Sequence, residues 1–460
     1  MPPRAQDLYD RSVDQVRRGQ VRRALGTLLA TLEADPAHRP AYEAAGRICR
    51  ILGAPDDAQL FEDLAGQPED PEALFRLGYR LSDQGRPEVA ARLLERSLAG
   101  LPADVGVRRE LAFARLQSRD FTGCLRALSP LEDDPDLSET ERLDVLLTQA
   151  EAALLAAKPD LCRDVLARAE DLVPEDDQRE RLDALHAQLG RASRFENLAS
   201  LGLREWHFIQ HAGVILKTAG GWFEDGSRRG RFDVLRLRPD MIAFLLQRLA
   251  LLLERLELRP ECVAAASEVA APLAQALALR LGAEYLPDLE QRDGRSTLLV
   301  AANAAELGPH AREVATHRPD LRLFALNLDW ERDAPVLPDV VGVLGRRVLL
   351  PWEPRYALGA DRRDMRQVTD DEREPAEIAR ELRHLMDHLP YDDGGAAQAE
   401  FEDFYVPLRA LLVLGNDELH PARRRFTSLS PCWSEDEDEA RATGAEIGSD
   451  DDGDEPDGEG

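Results

Sequence analysis

Pairs of small residues recur about every 34 residues through the first 190 residues, which is the length of one helical hairpin. No other feature of the sequence limits the possible folds as much as this repeat. In each of five segments, a small residue is followed twelve positions later by another. The first of each pair is Ser12, Gly46, Gly78, Ala112 and Ala150, and the second is Ala24, Ala58, Ala90, Cys124 and Cys162. Successive segments are 34, 32, 34 and 38 residues apart.

Helix packing explains this spacing. Two antiparallel helices approach closely only where side chains are small, so each pair marks a crossing of two helices. Proline or aspartate follows each second helix, at Pro36, Asp70, Pro102, the Pro135–Asp136 pair and Pro174. Proline cannot donate the backbone hydrogen bond that would continue a helix. Because one hairpin cannot cover its own apolar face, the pattern predicts a stacked, all-α solenoid.

The pattern resembles the tetratricopeptide repeat (TPR) family over residues 5–192. The resemblance is strongest at Leu74, Leu77, Gly78, Leu81, Gly85, Ala90, Leu94 and Pro102. The family's bulky residue early in the first helix is Leu8, Tyr42 and Leu74 here, and Arg108 replaces it in the fourth repeat. Ala157 replaces the turn glycine of the fifth repeat, and residues 176–190 resemble a polar capping helix.

The resemblance implies a protein-binding groove, because the first helices of this family line a concave surface that takes peptides or partner domains. Carried over by position, that surface would show Tyr9, Arg47, Arg50, Phe75, Tyr79, Arg109 and Phe113. Aromatic rings beside arginines suit a ligand with acidic and apolar side chains. The alternative is that some of these are ordinary exposed helix positions.

After residue 195 the pattern changes to short apolar runs that alternate with helices. We expect strands at 206–216, 232–237, 262–266, 296–301, 321–327 and 340–350. Helices are expected at 239–258, 270–281, 309–316, 375–389 and 398–414. Buried strands separated by helices predict an α/β domain with a mostly parallel sheet, over residues 196–433.

Residues 239–344 of this domain resemble a phosphoribosyltransferase-like core. In the active family, the central strand ends in two acidic residues that hold the ribose, and the following loop wraps a phosphate with backbone amides. Those acidic positions align with Ala301 and Ala302, which cannot accept a hydroxyl hydrogen bond, and Glu306 would repel a phosphate. The resemblance therefore implies an inactive module, with no catalytic or cofactor-binding residue.

The charge of the chain is strongly negative and unevenly placed. The net charge of -29 argues against nucleic-acid or anionic-membrane partners. Residues 434–460 contain 13 acidic residues and one arginine, so we expect a disordered acidic tail. The simplest role of this tail is to increase solubility. The more specific alternative is that it competes with an acidic ligand for the arginine-containing groove.

Other candidate chemistry is weak. Two histidine pairs, His207 with His211 and His384 with His388, have a spacing that could share a metal, although ordinary surface or half-buried histidines explain them more simply. Phosphate-binding glycine motifs are absent from the sequence. Five scattered cysteines without a CxxC motif favour a reducing cytoplasm, and charged residues interrupt the apolar stretch at 241–258, so no membrane span is expected.

These features predict a non-catalytic, cytoplasmic adaptor that binds protein or peptide partners, without cofactor or metal. Its basic residues are almost all arginine, which suggests a bacterial gene. The main alternative is an enzyme whose α/β domain binds a phosphorylated sugar or nucleotide and whose repeats recruit a protein substrate. A third is a self-assembling structural protein.

Overall fold

The computed structural model describes residues 4–132, 134–218, 227–228, 231–310, 320–330, 334, 336–358, 365–388 and 396–415. They form two compact units that divide after Leu137. The predicted acidic tail lies outside the described residues. The extent of the repeat domain, 5–192, stays a prediction, and each unit is described by itself below.

The first unit is built from antiparallel helix pairs. Its described helices are α1 (Ala5–Arg17), α2 (Val21–Ala34), α3 (Arg39–Ile51), α4 (Pro55–Gly66), α5 (Pro71–Asp83), α6 (Pro87–Gly100), α7 (Val105–Gln117) and α8 (Phe121–Leu128). Each hairpin turns through one left-handed residue, and these are Gly19, Gly53, Gly85 and Arg119. Glycine adopts this conformation without strain, whereas Arg119 holds it at a φ of 64°.

The small residues lie where the paired helices cross, as predicted. Ala24, Ala58, Ala90 and Cys124 are fully buried. At Gly78 a Cβ atom would lie 2.8 Å from Leu94 Cγ, a distance that real Cβ atoms do not tolerate. The close approach of α5 and α6 therefore requires a hydrogen atom at this position.

Arg96 of α6 binds two loops of the first unit. Its guanidinium donates to the Pro36 carbonyl at 2.5 Å and also binds Glu69. The buried Tyr42 hydroxyl donates to the same carbonyl at 2.7 Å. These bonds hold the exit of α2 against the later hairpins, and α2 also contacts α6 directly.

The second unit begins with three helices, α9 (Glu139–Leu155), α10 (Pro159–Glu170) and α11 (Asp176–Ala192). The first two form the predicted fifth hairpin, and Ala157 takes the left-handed turn position at a φ of 55°. Its two small residues, Ala150 and Cys162, are fully buried. The buried Arg191 donates to the Ile209 carbonyl at 2.8 Å and thereby joins α11 to the next helix, α12 (Leu203–His211).

A mostly parallel sheet forms the rest of this unit. The strands are β1 (Val214–Ile215), β2 (Ser227–Arg228), β3 (Arg231–Arg236), β4 (Cys262–Ala265), β5 (Glu284–Leu286), β6 (Thr297–Asn303), β7 (Leu321–Leu328) and β8 (Val340–Leu349). Their order is β2-β3-β8-β7-β6-β4-β5, and β1 pairs with β8 off this path. Among the described strands of this sheet, only β2 and β3 pair antiparallel, so the predicted fold class, helical repeats followed by a mostly parallel α/β region, is confirmed.

The described helices beside the sheet are α13 (Pro239–Arg255), α14 (Ala271–Leu281), α15 (Pro375–His388) and α16 (Ala396–Tyr405). The buried Arg248 of α13 donates to the Leu216 carbonyl at 2.9 Å and to Gln398 at 3.0 Å. Its guanidinium also lies 4.8 Å from the Phe401 ring centroid. One arginine thus joins the end of β1, α13 and α16.

The prediction of a strand at 206–216 was wrong over most of its length. Residues 203–211 form α12, which begins after Gly202 and ends at Ala212 in the left-handed conformation. Aromatic and β-branched residues suggested a strand, but Trp206 and Phe208 are buried on a helix instead. The sequence analysis also missed β5 and a hairpin of β9 (Arg355–Leu358) and β10 (Met365–Val368).

Residues 311–319, where most of one helix was expected, lie outside the described residues. In the described part of the chain, no helix has both the length and the apolar character to cross a membrane.

The crossing at Gly78 gives a direct stability test. We expect Gly78→Ala to lower the free energy of unfolding by about 1–3 kcal/mol, because the new methyl group overpacks against Leu94. Gly26→Ala is the matched control, since no atom lies within 4 Å of a Cβ there, and it should be neutral or stabilising by up to about 1 kcal/mol. Urea unfolding followed by circular dichroism measures both, and equal effects would contradict the packing assignment.

Candidate functional site

Equivalent positions of the first helices form the candidate binding surface of the first unit. Arg47, Tyr79 and Phe113 each follow the small crossing residue directly. Tyr9, Phe75 and Arg109 each precede that residue by three positions, one helical turn earlier. In a stack of similar hairpins, equivalent positions line up on one side. These residues, together with Arg50, are called the first-helix surface below.

The aromatic part of this surface lies on α5 and α7, which contact each other. Tyr79 is 52% exposed and Phe113 is 45% exposed, whereas Phe75 is half-buried. The Phe75 and Tyr79 ring centroids are 6.2 Å apart. Two neighbouring hairpins therefore present aromatic rings to solvent at the same repeat position.

The three arginines of the first-helix surface differ in their contacts. Arg47 is exposed and its Nε donates to the Glu43 carbonyl at 3.2 Å. Arg50 binds the Glu62 carboxylate with two nitrogens, at 2.7 Å and 2.5 Å, so this guanidinium is already paired within its own hairpin. Arg109 is half-buried beside Glu110, whose pKa is raised by burial in spite of the nearby arginine.

Tyr9 is half-buried, and its ring centroid lies 5.0 Å from that of His38. Three further exposed apolar residues of this unit were not predicted, Val16 at 43% exposure, Ile51 at 70% and Leu52 at 39%. All three stand at or beside the last residue of a first helix. Their exposure could have been predicted from the sequence, because each is an apolar residue shortly before a turn glycine.

The strand order of the second unit reverses at β4, and the region outside the carboxyl ends of β4 and β6 is called the crevice below. The strand β4 is flanked by β5 on one side and β6 on the other. In open parallel sheets, ligands bind outside the carboxyl ends of the strands at such a reversal. Here the segments that follow these ends are 266–270 after β4 and a 3-10 segment, Ala304–His310, after β6.

The side chain of Glu306 turns into this crevice. Its Oε2 accepts a hydrogen bond from the Ser267 hydroxyl at 2.7 Å and from the Ala302 amide at 3.0 Å. Burial raises the pKa of the Glu306 carboxyl, and the hydrogen bonds lower it in part. Two donors at this edge of the sheet, the Ser267 hydroxyl and the Ala302 amide, are therefore already bound to a carboxylate of the same chain.

Neighbouring groups fix the rim of the crevice. The His310 ring lies 3.2 Å from the Ala266 carbonyl oxygen, and the Trp352 indole donates to the Val269 carbonyl at 2.8 Å. The side chains of Ala301 and Ala302, where the sequence analysis looked for an acidic pair, are buried methyl groups. The sequence analysis identified Glu306 as a source of repulsion but not its bond to Ser267, 39 residues away.

The histidine pairs are adjacent in space, with ring centroids 5.0 Å apart for His207 and His211 and 4.2 Å apart for His384 and His388. Among the described residues, no group of three or more His, Cys, Asp or Glu side chains could hold a metal ion. Cys49, Cys124, Cys162 and Cys262 are buried, and burial raises the pKa of Cys49 to about 11.

No protein-family model matches the chain, and no curated protein matches it. Three similar solved structures are a MamA RS-1 ArsTM double mutant, PilF of Pseudomonas aeruginosa and the TPR domain of P58(IPK). Their identities to the chain are 19%, 18% and 19%, and their TM-scores are 0.23, 0.25 and 0.13. The matches cover 36%, 41% and 41% of this chain and 93%, 84% and 57% of those chains. At such TM-scores these likenesses add nothing to the hairpin architecture, which α1–α8 show directly.

The Glu306 contacts predict a local loss of stability on truncation. Glu306→Ala should destabilise the second unit by about 1–3 kcal/mol, because the Ala302 amide and Ser267 hydroxyl lose a half-buried acceptor. Hydrogen exchange of the segment 297–310 should become faster. The exposed Glu268 in the same crevice provides the control, and Glu268→Ala should leave that exchange unchanged. Equal exchange rates in the two variants would contradict the assignment.

His207 predicts a pH dependence of stability. Burial lowers the pKa of its ring to about 3, whereas an unfolded histidine has a pKa of about 6.5. Below about pH 6.5 the unfolded chain therefore gains a proton that the folded chain does not, and stability falls as the pH falls. Between pH 7 and pH 5 this amounts to about 2 kcal/mol.

We expect His207→Gln to remove this component, so that its unfolding free energy falls less than that of the natural chain over the same range. Urea unfolding at several pH values measures the difference. The variant His384→Gln, at an exposed histidine, should keep the original pH dependence. An unchanged pH dependence in His207→Gln would contradict the assignment, because a histidine with the same pKa in the folded and unfolded chain contributes nothing to it.

Proposed function

We propose that this chain is a non-catalytic adaptor that binds a partner protein through the first-helix surface. The observation that carries the proposal is the exposure of Tyr79 and Phe113 at the same position of adjacent hairpins. Aromatic side chains lose little conformational entropy when covered and bury a large area, which makes them frequent anchors of protein interfaces.

The charges beside the rings support a partner segment with both apolar and acidic side chains. Arg47 is exposed and forms no ion pair with any described residue, so its guanidinium is available to a carboxylate. Arg50 is a weaker candidate because it would have to leave Glu62. A contact of this kind depends on salt, since exposed charges are screened.

We infer that the α/β unit is a second, non-catalytic module. Glu306 supports this inference because its carboxylate uses the donors that a phosphate would need. The alternative is an enzyme that binds a phosphorylated sugar or nucleotide in this crevice. Calorimetric titration of the full chain with inorganic phosphate and with ribose 5-phosphate separates the two, and binding at the crevice would favour the enzyme.

A cytoplasmic location is part of the proposal. The four described cysteines support this location, because they are buried as free thiols in packing positions. Disulfide frameworks are typical of oxidising compartments instead. The TPR assignment itself is supported by the five left-handed turns and the buried small residues.

Substitution of the aromatic anchors tests the adaptor role. We expect Tyr79→Ala with Phe113→Ala to weaken partner binding at least about 30-fold, which corresponds to about 2 kcal/mol for an interface hot spot. The measurement is capture of a defined partner from native lysate by the full chain, followed by titration of that partner. Leu161→Ala is the control, because Leu161 is an exposed apolar residue of α10 in the second unit. If all three chains hold the partner alike, the first-helix surface is not its site.

A further inference from the structure

The tip of the first hairpin carries an exposed cluster of arginines. Arg17 and Arg18 precede the turn residue Gly19, and Arg22 and Arg23 follow it, so four arginines fall within seven residues. These four residues are called the arginine tip. All four are exposed, and the Arg17 side chain retains 76% of its accessible surface.

The arginine tip is almost without local counter-charge. Arg17 lies 3.1 Å from Asp14, and both side chains are well exposed. The other three guanidinium groups form no ion pair with any residue in the described part of the chain. Several arginines elsewhere in this unit do bind carboxylates, as Arg80 binds Asp57 at 2.8 Å and Arg50 binds Glu62. A concentrated positive patch is therefore left open to solvent in a chain of net charge -29.

Two members of the arginine tip, Arg22 and Arg23, lie in the first turn of α2 and oppose the dipole of that helix. The other two lie at the C-terminal end of α1, where the helix dipole favours a positive charge. The first turn of α2 contains no acidic residue, and its N-cap Gln20 makes no side-chain capping bond. The other second helices of this unit have the expected negative charge, with Asp56 and Asp57 in α4, Glu88 in α6 and the Asp120 cap of α8. Because the positive end of a helix favours anions, the start of α2 lacks an anion that every neighbouring hairpin supplies from its own sequence.

The chain itself contains the segment of opposite charge. Residues 434–460, called the acidic tail, hold 13 acidic residues and one arginine. Glu435–Glu439 are five consecutive acidic residues, a run that matches the density of positive charge at the tip. We propose that the acidic tail binds the arginine tip in the same chain, through carboxylate–guanidinium pairs and the unfilled anion position at the start of α2.

An intramolecular occupant is favoured over a free polyanion. A tethered segment acts at an effective concentration that can reach the millimolar range, without the association entropy of a separate molecule. A nucleic acid would also meet the negative charge of the rest of the chain. The acidic tail has no aromatic residue, so it cannot fill the aromatic part of the first-helix surface, and the contact does not depend on the proposed adaptor function.

A fluorophore attached at Gly460 of the full chain reports the contact through its anisotropy. The salt concentration is raised from roughly 10 mM to roughly 1 M, over which the Debye length falls from about 30 Å to about 3 Å. We expect the anisotropy of the natural chain to fall over this range as the tail is released. A chain with Arg17, Arg18, Arg22 and Arg23 changed to Gln should show the released value already at low salt.

The control chain has the same change of net charge at four other exposed arginines of the first unit, Arg39, Arg86, Arg92 and Arg126, each changed to Gln. It should keep the anisotropy of the natural chain. Circular dichroism verifies the helix content of each variant. A second variant with Glu435–Glu439 changed to Gln leaves the first unit intact and should lose the same salt-sensitive anisotropy.

Three results would overturn the proposal. Equal losses in the arginine-tip and control chains would show a response to total charge alone. An anisotropy that is independent of salt and of both sets of substitutions would show that the tail does not bind the tip. A salt-sensitive signal that grows with protein concentration would place the tail on a second copy of the chain.

Discussion

The contact between a small residue and the helix that faces it is the constraint on which the first unit depends. At Gly78 the facing side chain of Leu94 occupies the space of the missing Cβ. The second helices carry alanine or cysteine at the corresponding crossing positions, and these small side chains are fully buried. Because the helices are this close, one left-handed residue suffices for each turn, and the bulky residues of each hairpin can reach its neighbours.

The same constraint decides which side chains remain for other roles. Once the crossing face and the stacking face of a first helix are buried, the residues directly after the small position are left to solvent. Where that residue is Tyr79 or Phe113, the hairpin exposes apolar area that its own fold cannot cover. At Gly46 the equivalent of Leu94 is Glu62, and its carboxylate draws Arg50 into the hairpin. Glutamate instead of leucine at this packing position therefore pairs Arg50 within its own hairpin, so that this arginine is less available to a partner.

Periodic features could be predicted from the sequence, and local bonds between distant residues could not. The repeat spacing located all five hairpins because a crossing tolerates few side chains, and long apolar runs located β6, β7 and β8. Residues 206–211 were misread as a strand because aromatic content outweighed the helix start at Gly202 and Glu205. The pairing of Ser267 with Glu306 depends on the folded sheet, so no spacing in the sequence could indicate it.

Charge in this chain follows a common physical rule in both units. A concentrated charge requires either a partner or water, and low-dielectric surroundings make the partner more important. In the crevice of the second unit the partner is internal, since amide and hydroxyl donors surround the half-buried Glu306 carboxylate. On the first unit, Arg47 and the arginine tip remain in water, where an unpaired guanidinium costs little and a carboxylate can reach it. The exposed arginines are thus the groups through which electrostatics can govern binding, whereas the half-buried carboxylate is already satisfied by donors of its own chain.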